Sequence, residues 1–159
     1  MSRVIMPGSY DPVTLGHLAM IELAAQRYDE VFVVAFVNPS KEYTFSLEDR
    51  VSMLMIATDH LPNVLVSYSN GLVIDYMREH NIDKIVKGYR NETDYEYELV
   101  QAEWNKAHGG YDTELIRCSP ENEEISSTRA RAKLVAGEDA DGILPEKVIE
   151  YVKNLDKKF

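Results

Sequence analysis

VIMPGSYDPVTLGHLAMIELAAQRYDEVFVVAFV, residues 4–37, places one helical period between two apolar runs. Val4-Ile5-Met6 suits a short buried strand. After the loop PGSYDPVTLGH, residues 7–17, Leu18, Ile21, Ala25 and Tyr28 recur at steps of three and four, which is the spacing of one helix face. VFVVAFV, residues 31–37, is continuously β-branched and aromatic, as in strands covered on both sides. Strand, helix and strand at this length make a βαβ unit, whose crossover is right-handed.

The alternation continues outward. NPSKEYTF forms a loop ending at Ser46, and the S-x-x-D spacing to Asp49 predicts a capping box for a helix through Leu61. Leu47, Val51, Leu54, Thr58 and Leu61 give that helix its inner face. Strands follow at 64–68, 84–89 and 114–118, with helices at 71–80 and 93–107, the latter stopped by Gly109-Gly110. Helices at 127–136 and 145–155 close the chain. The pattern predicts a single α/β domain over residues 1–159, a Rossmann-like doubly wound five-stranded parallel sheet with helices on both faces. Such sheets bind ligands beyond the carboxyl ends of their strands.

Composition narrows the function. With 45% apolar and 28% charged residues, 159 residues can bury a core without disulfides or a structural metal. No run approaches the ~18 apolar residues of a membrane span, and Pro7 and Gly8 interrupt the N-terminus before a signal-peptide core could form, so a cytoplasmic protein is expected. The single Cys118 excludes an intramolecular disulfide and a cysteine zinc site, and reads as an unreactive core residue. The 17 Lys and Arg against 27 Asp and Glu give a net charge of −10, which repels nucleic acid and anionic membranes. Neither is expected as a partner. A small anionic ligand is compatible, because a few local cations and backbone amides outweigh distant charge.

Three loops after strands, and one lysine, carry unusual chemistry. In the first, Gly8 lets a phosphate approach the backbone, Ser9 offers a hydroxyl, and Gly16-His17 falls in the first turn of a helix, where free N–H groups favour a phosphate. Taken singly these residues are ordinary turn and cap chemistry, with Thr14 as the helix cap. Together, and without a G-x-G-x-x-G or a G-x-x-x-x-G-K-[ST], they form G-S-Y-D-P-x-T-x-G-H, which resembles the signature of nucleotidyltransferases carrying [HT]-x-G-H after their first strand. In the second loop, KGYRNETDYEYE at 87–98, Lys87 and Arg90 flank Gly88-Tyr89 as a phosphate clamp would. In the third, ISSTRAR at 125–131, hydroxyls open a helix that carries Arg129 and Arg131. Lys41, after the second strand, lies on the same ligand-binding edge.

P-G-S-Y-D-P-x-T-x-G-H, N-P-S-K-x-x-x-F-S-L-E-D-R, K-G-Y-R-x-x-x-D-Y-E-Y-E, I-S-S-T and L-P-E-K-V occur in that order. The set resembles the phosphopantetheine adenylyltransferase family along nearly the whole chain, and Thr14, where sister families carry His, points to the same branch. The resemblance implies transfer of an adenylyl group from ATP to 4′-phosphopantetheine, giving dephospho-coenzyme A and pyrophosphate, with Mg2+, in coenzyme A biosynthesis. It implies His17 as transition-state stabiliser, Ser9 in contact with both substrates, Lys41 and Lys87 on the pantetheine phosphate, and Val73 beside the pantetheine arm. Around ATP it implies Ser9, Tyr10, His17, Gly88, Tyr89, Arg90, Glu98, Asn122, Glu123, Glu124, Ile125, Ser126, Ser127 and Thr128. No side chain is assigned as a metal ligand.

A homohexamer and feedback inhibition by coenzyme A are further implications. The chain departs from the family, which usually has Thr, Phe, Arg and Leu where Ser9, Tyr10, Lys87 and Tyr89 stand here. Apolar residues are common there in place of Glu123-Glu124. A nicotinate or nicotinamide mononucleotide adenylyltransferase shares I-S-S-T-x-x-R and is the nearest alternative, with Thr14 and D-Y-E-Y-E against it; a cytidylyltransferase is further off, because that branch carries His at position 14. A non-catalytic nucleotide-binding domain is the alternative from another class.

Overall fold

A computed structural model describes residues 1–159. Strands β1 (Arg3–Gly8), β2 (Glu30–Phe36), β3 (Val64–Ser69), β4 (Lys84–Tyr89) and β5 (Asp112–Arg117) form one sheet in the order β3-β2-β1-β4-β5, parallel throughout. Helices α1 (Leu15–Arg27), α2 (Leu47–Ala57), α3 (Val73–His80) and α4 (Glu92–Gly109) connect them, and α5 (Ser127–Val135) and α6 (Glu146–Lys153) follow. This is the expected Rossmann-like, doubly wound fold. No helix is long and apolar enough to cross a membrane.

The two-residue period of a strand sorts the core into two layers. Val4 and Met6 of β1, with Val31, Val33 and Ala35 of β2, face Ile21 and Ala24 of α1 and Met53 and Leu54 of α2. Leu134 of α5 and Val148 of α6 complete this larger cluster. Ile5, Phe32, Val34 and Ile85 point the other way, onto Tyr76 and Met77 of α3. Full burial of side chains this size stabilises the fold by roughly 1.5–3 kcal/mol each.

Several element ends differ from expectation for local reasons. Helix α2 ends at Ala57, short of Leu61, with Thr58 as its C-cap on the Leu54 carbonyl at 3.1 Å and Pro62 disfavouring a helical Leu61. Ser46 caps that helix through the Asp49 N–H at 3.1 Å, which is one half of the predicted box. Helix α4 absorbs Gly109 and ends at Gly110, whose φ of 77° is left-handed. Strand β5 ends at Arg117, which leaves Cys118 beyond it.

One register detail creates the site. Strand β1 pairs with β2 from Arg3↔Glu30 to Gly8↔Ala35, yet with β4 only at Val4↔Lys84 and Ile5↔Ile85. Strand β4 meanwhile stays paired with β5 as far as Tyr89↔Arg117. The two central strands therefore diverge beyond Ile5 and Ile85, at the point where the chain order reverses, and a crevice opens there.

Candidate active site

A cavity of about 370 Å³ fills that crevice. Its floor is the end of β1 and the loop Ser9–Asp11; one wall is β4 from Val86 to Tyr89, and the other comprises the first turn of α1 and the start of α5. Ser9, Tyr10, His17, Lys41, Lys87, Gly88, Tyr89, Arg90, Glu98, Asn122, Ile125, Ser126, Ser127 and Thr128 all line it. Segments more than a hundred residues apart in the chain thus meet at one place. Val73, Glu123 and Glu124 lie elsewhere. Val73 begins α3 and packs on the smaller core cluster, Glu123 pairs with Arg117 at 3.6 Å, and Glu124 pairs with Arg129 at 2.8 Å.

His17 is held by the helix it helps to start. Thr14 is the N-cap of α1, and its Oγ1 accepts the His17 N–H at 3.2 Å. In return, His17 Nδ1 accepts the Thr14 backbone N–H at 3.0 Å, closing a capping box in which His takes the place of the usual Glu or Gln. A backbone N–H can only donate, so Nδ1 is unprotonated and the imidazole proton sits on Nε2. Burial, followed by the charges of Lys87 and Arg90, lowers the His17 pKa from 6.5 to about 4. At neutral pH this ring is a neutral donor.

The first loop is shaped around an aromatic ring. Tyr10 takes a φ of 48° and turns back so that its hydroxyl donates to the Met6 carbonyl at 2.8 Å. A Cβ on Gly8 would come within 3.1 Å of that ring, so the missing side chain of Gly8 leaves room for Tyr10. Tyr10 packs edge-on to His17, with ring centroids 5.0 Å apart. Burial, reinforced by Glu98, pushes its phenol pKa up, so it stays neutral.

The cations are pre-positioned. Lys41 Nζ donates to Ser9 Oγ at 3.2 Å, and Lys87 Nζ donates to the Pro7 carbonyl at 3.2 Å while pairing with Glu98 at 3.3 Å. Arg90 is aligned by Asp94, its Nε 2.9 Å from Oδ2. Arg131, noted in the sequence but not placed in the site there, also lines the cavity and donates to the Asp11 carbonyl at 2.9 Å. The lining holds the cations Lys41, Lys87, Arg90 and Arg131 against the carboxylates Asp11, Asp94 and Glu98, in a chain whose net charge is −10. Two helix starts reinforce the positive balance: Gly16 and His17 in α1, and Ser127 and Thr128 in α5, where Ser126 is the cap.

Cys118 is buried, as its sequence reading expects, and it also lines the cavity, with its thiol pKa raised first by burial and then by Glu123. Met20 was also missed. It lies where a Cβ on Gly88 would come within 3.1 Å of its Cγ, so the bare Gly88 backbone lets α1 pack close to β4.

A cavity at the switch point of a parallel sheet, lined by cations, two helix starts and a neutral imidazole donor, defines a phosphate-handling nucleotide site of the nucleotidyltransferase kind. Residues 5–133 match the family model described as cytidylyltransferase-like, and the chain belongs to that family. Nucleotidyl transfer from a nucleoside triphosphate is the family's chemistry.

Proposed function

We propose that the protein transfers the adenylyl group of ATP to 4′-phosphopantetheine, releasing pyrophosphate and dephospho-coenzyme A. The observation that favours this branch is the Lys87–Glu98 pair at 3.3 Å, because both residues belong to the K-G-Y-R…D-Y-E-Y-E segment that separates it from mononucleotide adenylyltransferases. An acceptor phosphate is ionised at neutral pH and needs no general base, so positioning and charge stabilisation do the work. Lys41 and Lys87 hold the acceptor phosphate, Ser9 bridges the two substrates, and Arg90 with Ser126–Thr128 carries the triphosphate. His17 donates its Nε2–H as charge builds on the α-phosphoryl oxygens.

Mg2+ enters this scheme on the phosphates of ATP. The cavity carboxylates are engaged, Asp11 with the N–H groups of Thr44 and Phe45, Asp94 with Arg90, and Glu98 with Lys87, and no three ligating side chains converge. The ion's chemistry is neutralisation of phosphate charge. The assembly in this reading is a homohexamer, with coenzyme A as an inhibitor that competes at the same cavity.

Incubation with ATP, Mg2+ and either 4′-phosphopantetheine or nicotinate mononucleotide, followed by pyrophosphate, tests the reading. Release with phosphopantetheine alone is expected. Release with the mononucleotide alone would reassign the acceptor, and ATP binding without release from either would indicate a non-catalytic nucleotide domain.

A further inference from the structure

Arg50 of α2 is only 2% exposed, yet its guanidinium makes no ion pair and its Nε has no hydrogen-bond partner. A buried, unpaired charge is costly. Two contacts hold it. Nη1 donates to the Ser9 carbonyl at 2.8 Å, and the guanidinium lies over the Tyr43 ring, 3.9 Å from its centroid. Ser9 belongs to the cavity floor, and Tyr43 belongs to the loop that carries Lys41.

That loop has little else to place it. Residues 38–42 are exposed, and the chain is buried again only at Phe45. Tyr43 Oη accepts the Asn38 N–H at 2.9 Å, so the aromatic ring closes the base of the loop from inside. A second tie runs parallel to the first: Asp11, 3% exposed, accepts the N–H groups of Thr44 and Phe45, both at 2.9 Å. Both ties join the Ser9–Asp11 loop to the Lys41 loop, across the ends of adjacent strands. The contact they frame is Lys41 Nζ on Ser9 Oγ.

We propose that Arg50 is a positioning residue: through the Ser9 carbonyl and the Tyr43 ring, with Asp11 as the parallel tie, it locks the Lys41 loop onto the cavity floor. The loop tip then needs no ordering when an anionic substrate arrives. The proposal deepens the adenylyl-transfer reading and rests on it only for the assay of turnover; the tie itself is a property of the chain alone.

The test has two arms on the full chain. In the first, amide hydrogen exchange is followed in Arg50→Gln without ligand. Residues 38–45 are expected to exchange on the order of tenfold faster while β1 and β2 keep their protection. In the second, pyrophosphate release is measured for Arg50→Gln, Lys41→Ala and the double variant. The combined loss is expected to fall well short of the product of the single fold-changes, because each variant removes the same positioned ammonium. Unchanged exchange over 38–45, or losses that multiply independently, overturns the proposal. Should Arg50→Gln fail to fold, Tyr43→Leu removes the ring beneath the guanidinium at a half-buried loop site, and the same two outcomes decide. If the wild-type chain releases no pyrophosphate with phosphopantetheine, the function reading fails, and the exchange arm alone decides the role of Arg50.

Discussion

Lys87 and Glu98 form an ion pair at 3.3 Å in which Glu98 is 13% exposed, so the lysine that reaches the end of β1 is restrained by a carboxylate from α4. The pair sits between the two diverging central strands and faces the cavity. In the proposed reaction an acceptor phosphate there competes with Glu98 for the ammonium. Lys87→Ala is expected to weaken phosphopantetheine binding by about tenfold or more while changing ATP binding much less, and Lys87→Arg to stay active. Calorimetry that shows equal losses for both ligands would give Lys87 a purely structural role against Glu98.

His17→Ala is expected to lower turnover by about 10²-fold or more with circular dichroism unchanged, since in the proposed reaction the ring supplies a transition-state donor. Because its pKa is held at about 4, the wild-type pH–rate profile should show no His17 titration near neutrality. The sign for stability follows from linkage. Between pH 6.5 and about 4 the unfolded chain binds the proton and the folded chain does not. The contribution is therefore fully present above pH 6.5 and is lost as pH falls through that window. Melting midpoints of wild type and His17→Gln should converge on acidification. A rate profile with a His17-dependent limb near pH 6.5 would contradict the neutral-donor assignment.

Helix α4 has 18 residues and none of them is buried, although Tyr97, Val100 and Trp104 form a stripe at helical spacing with exposures of 64%, 61% and 42%. In the proposed assembly this stripe is the association face. Light scattering is expected to give a multiple of the 18.2 kDa chain mass consistent with six copies, and Trp104→Glu to lower it without loss of secondary structure. A single-chain mass at micromolar concentration, with activity retained, would remove the assembly from the proposal and leave the catalytic roles intact.

Much of this molecule was legible in the linear pattern, because apolar periodicity is a local property of the chain. Continuous apolar runs marked the buried strands, three- and four-residue steps marked α1 and α2, and Thr14 read as a cap because capping is a contact between neighbours. The loops after β1 and β4 and the start of α5 stood out for the same reason: free N–H groups, hydroxyls and cations lie together in short segments. Tertiary structure decided how those segments combine. The early end of the β1–β4 pairing opens the crevice, and no local pattern encodes where two parallel strands part. Arg131 and Met20 entered the site because helix packing set their direction, and buried Cys118 lines the cavity because β5 ends beside it. Glu123 and Glu124 adjoin Asn122 and Ile125 yet lie outside the cavity, since neighbours in a chain turn to different surfaces, and Val73 lies outside it because α3 packs on the other core layer. Arg50 closes the N-P-S-K-x-x-x-F-S-L-E-D-R motif, but nothing in that linear pattern assigns it a role. Its role rests on burial of a charge between two loops that are 41 and 7 residues away from it, at Ser9 and Tyr43, and only a folded chain brings those three together.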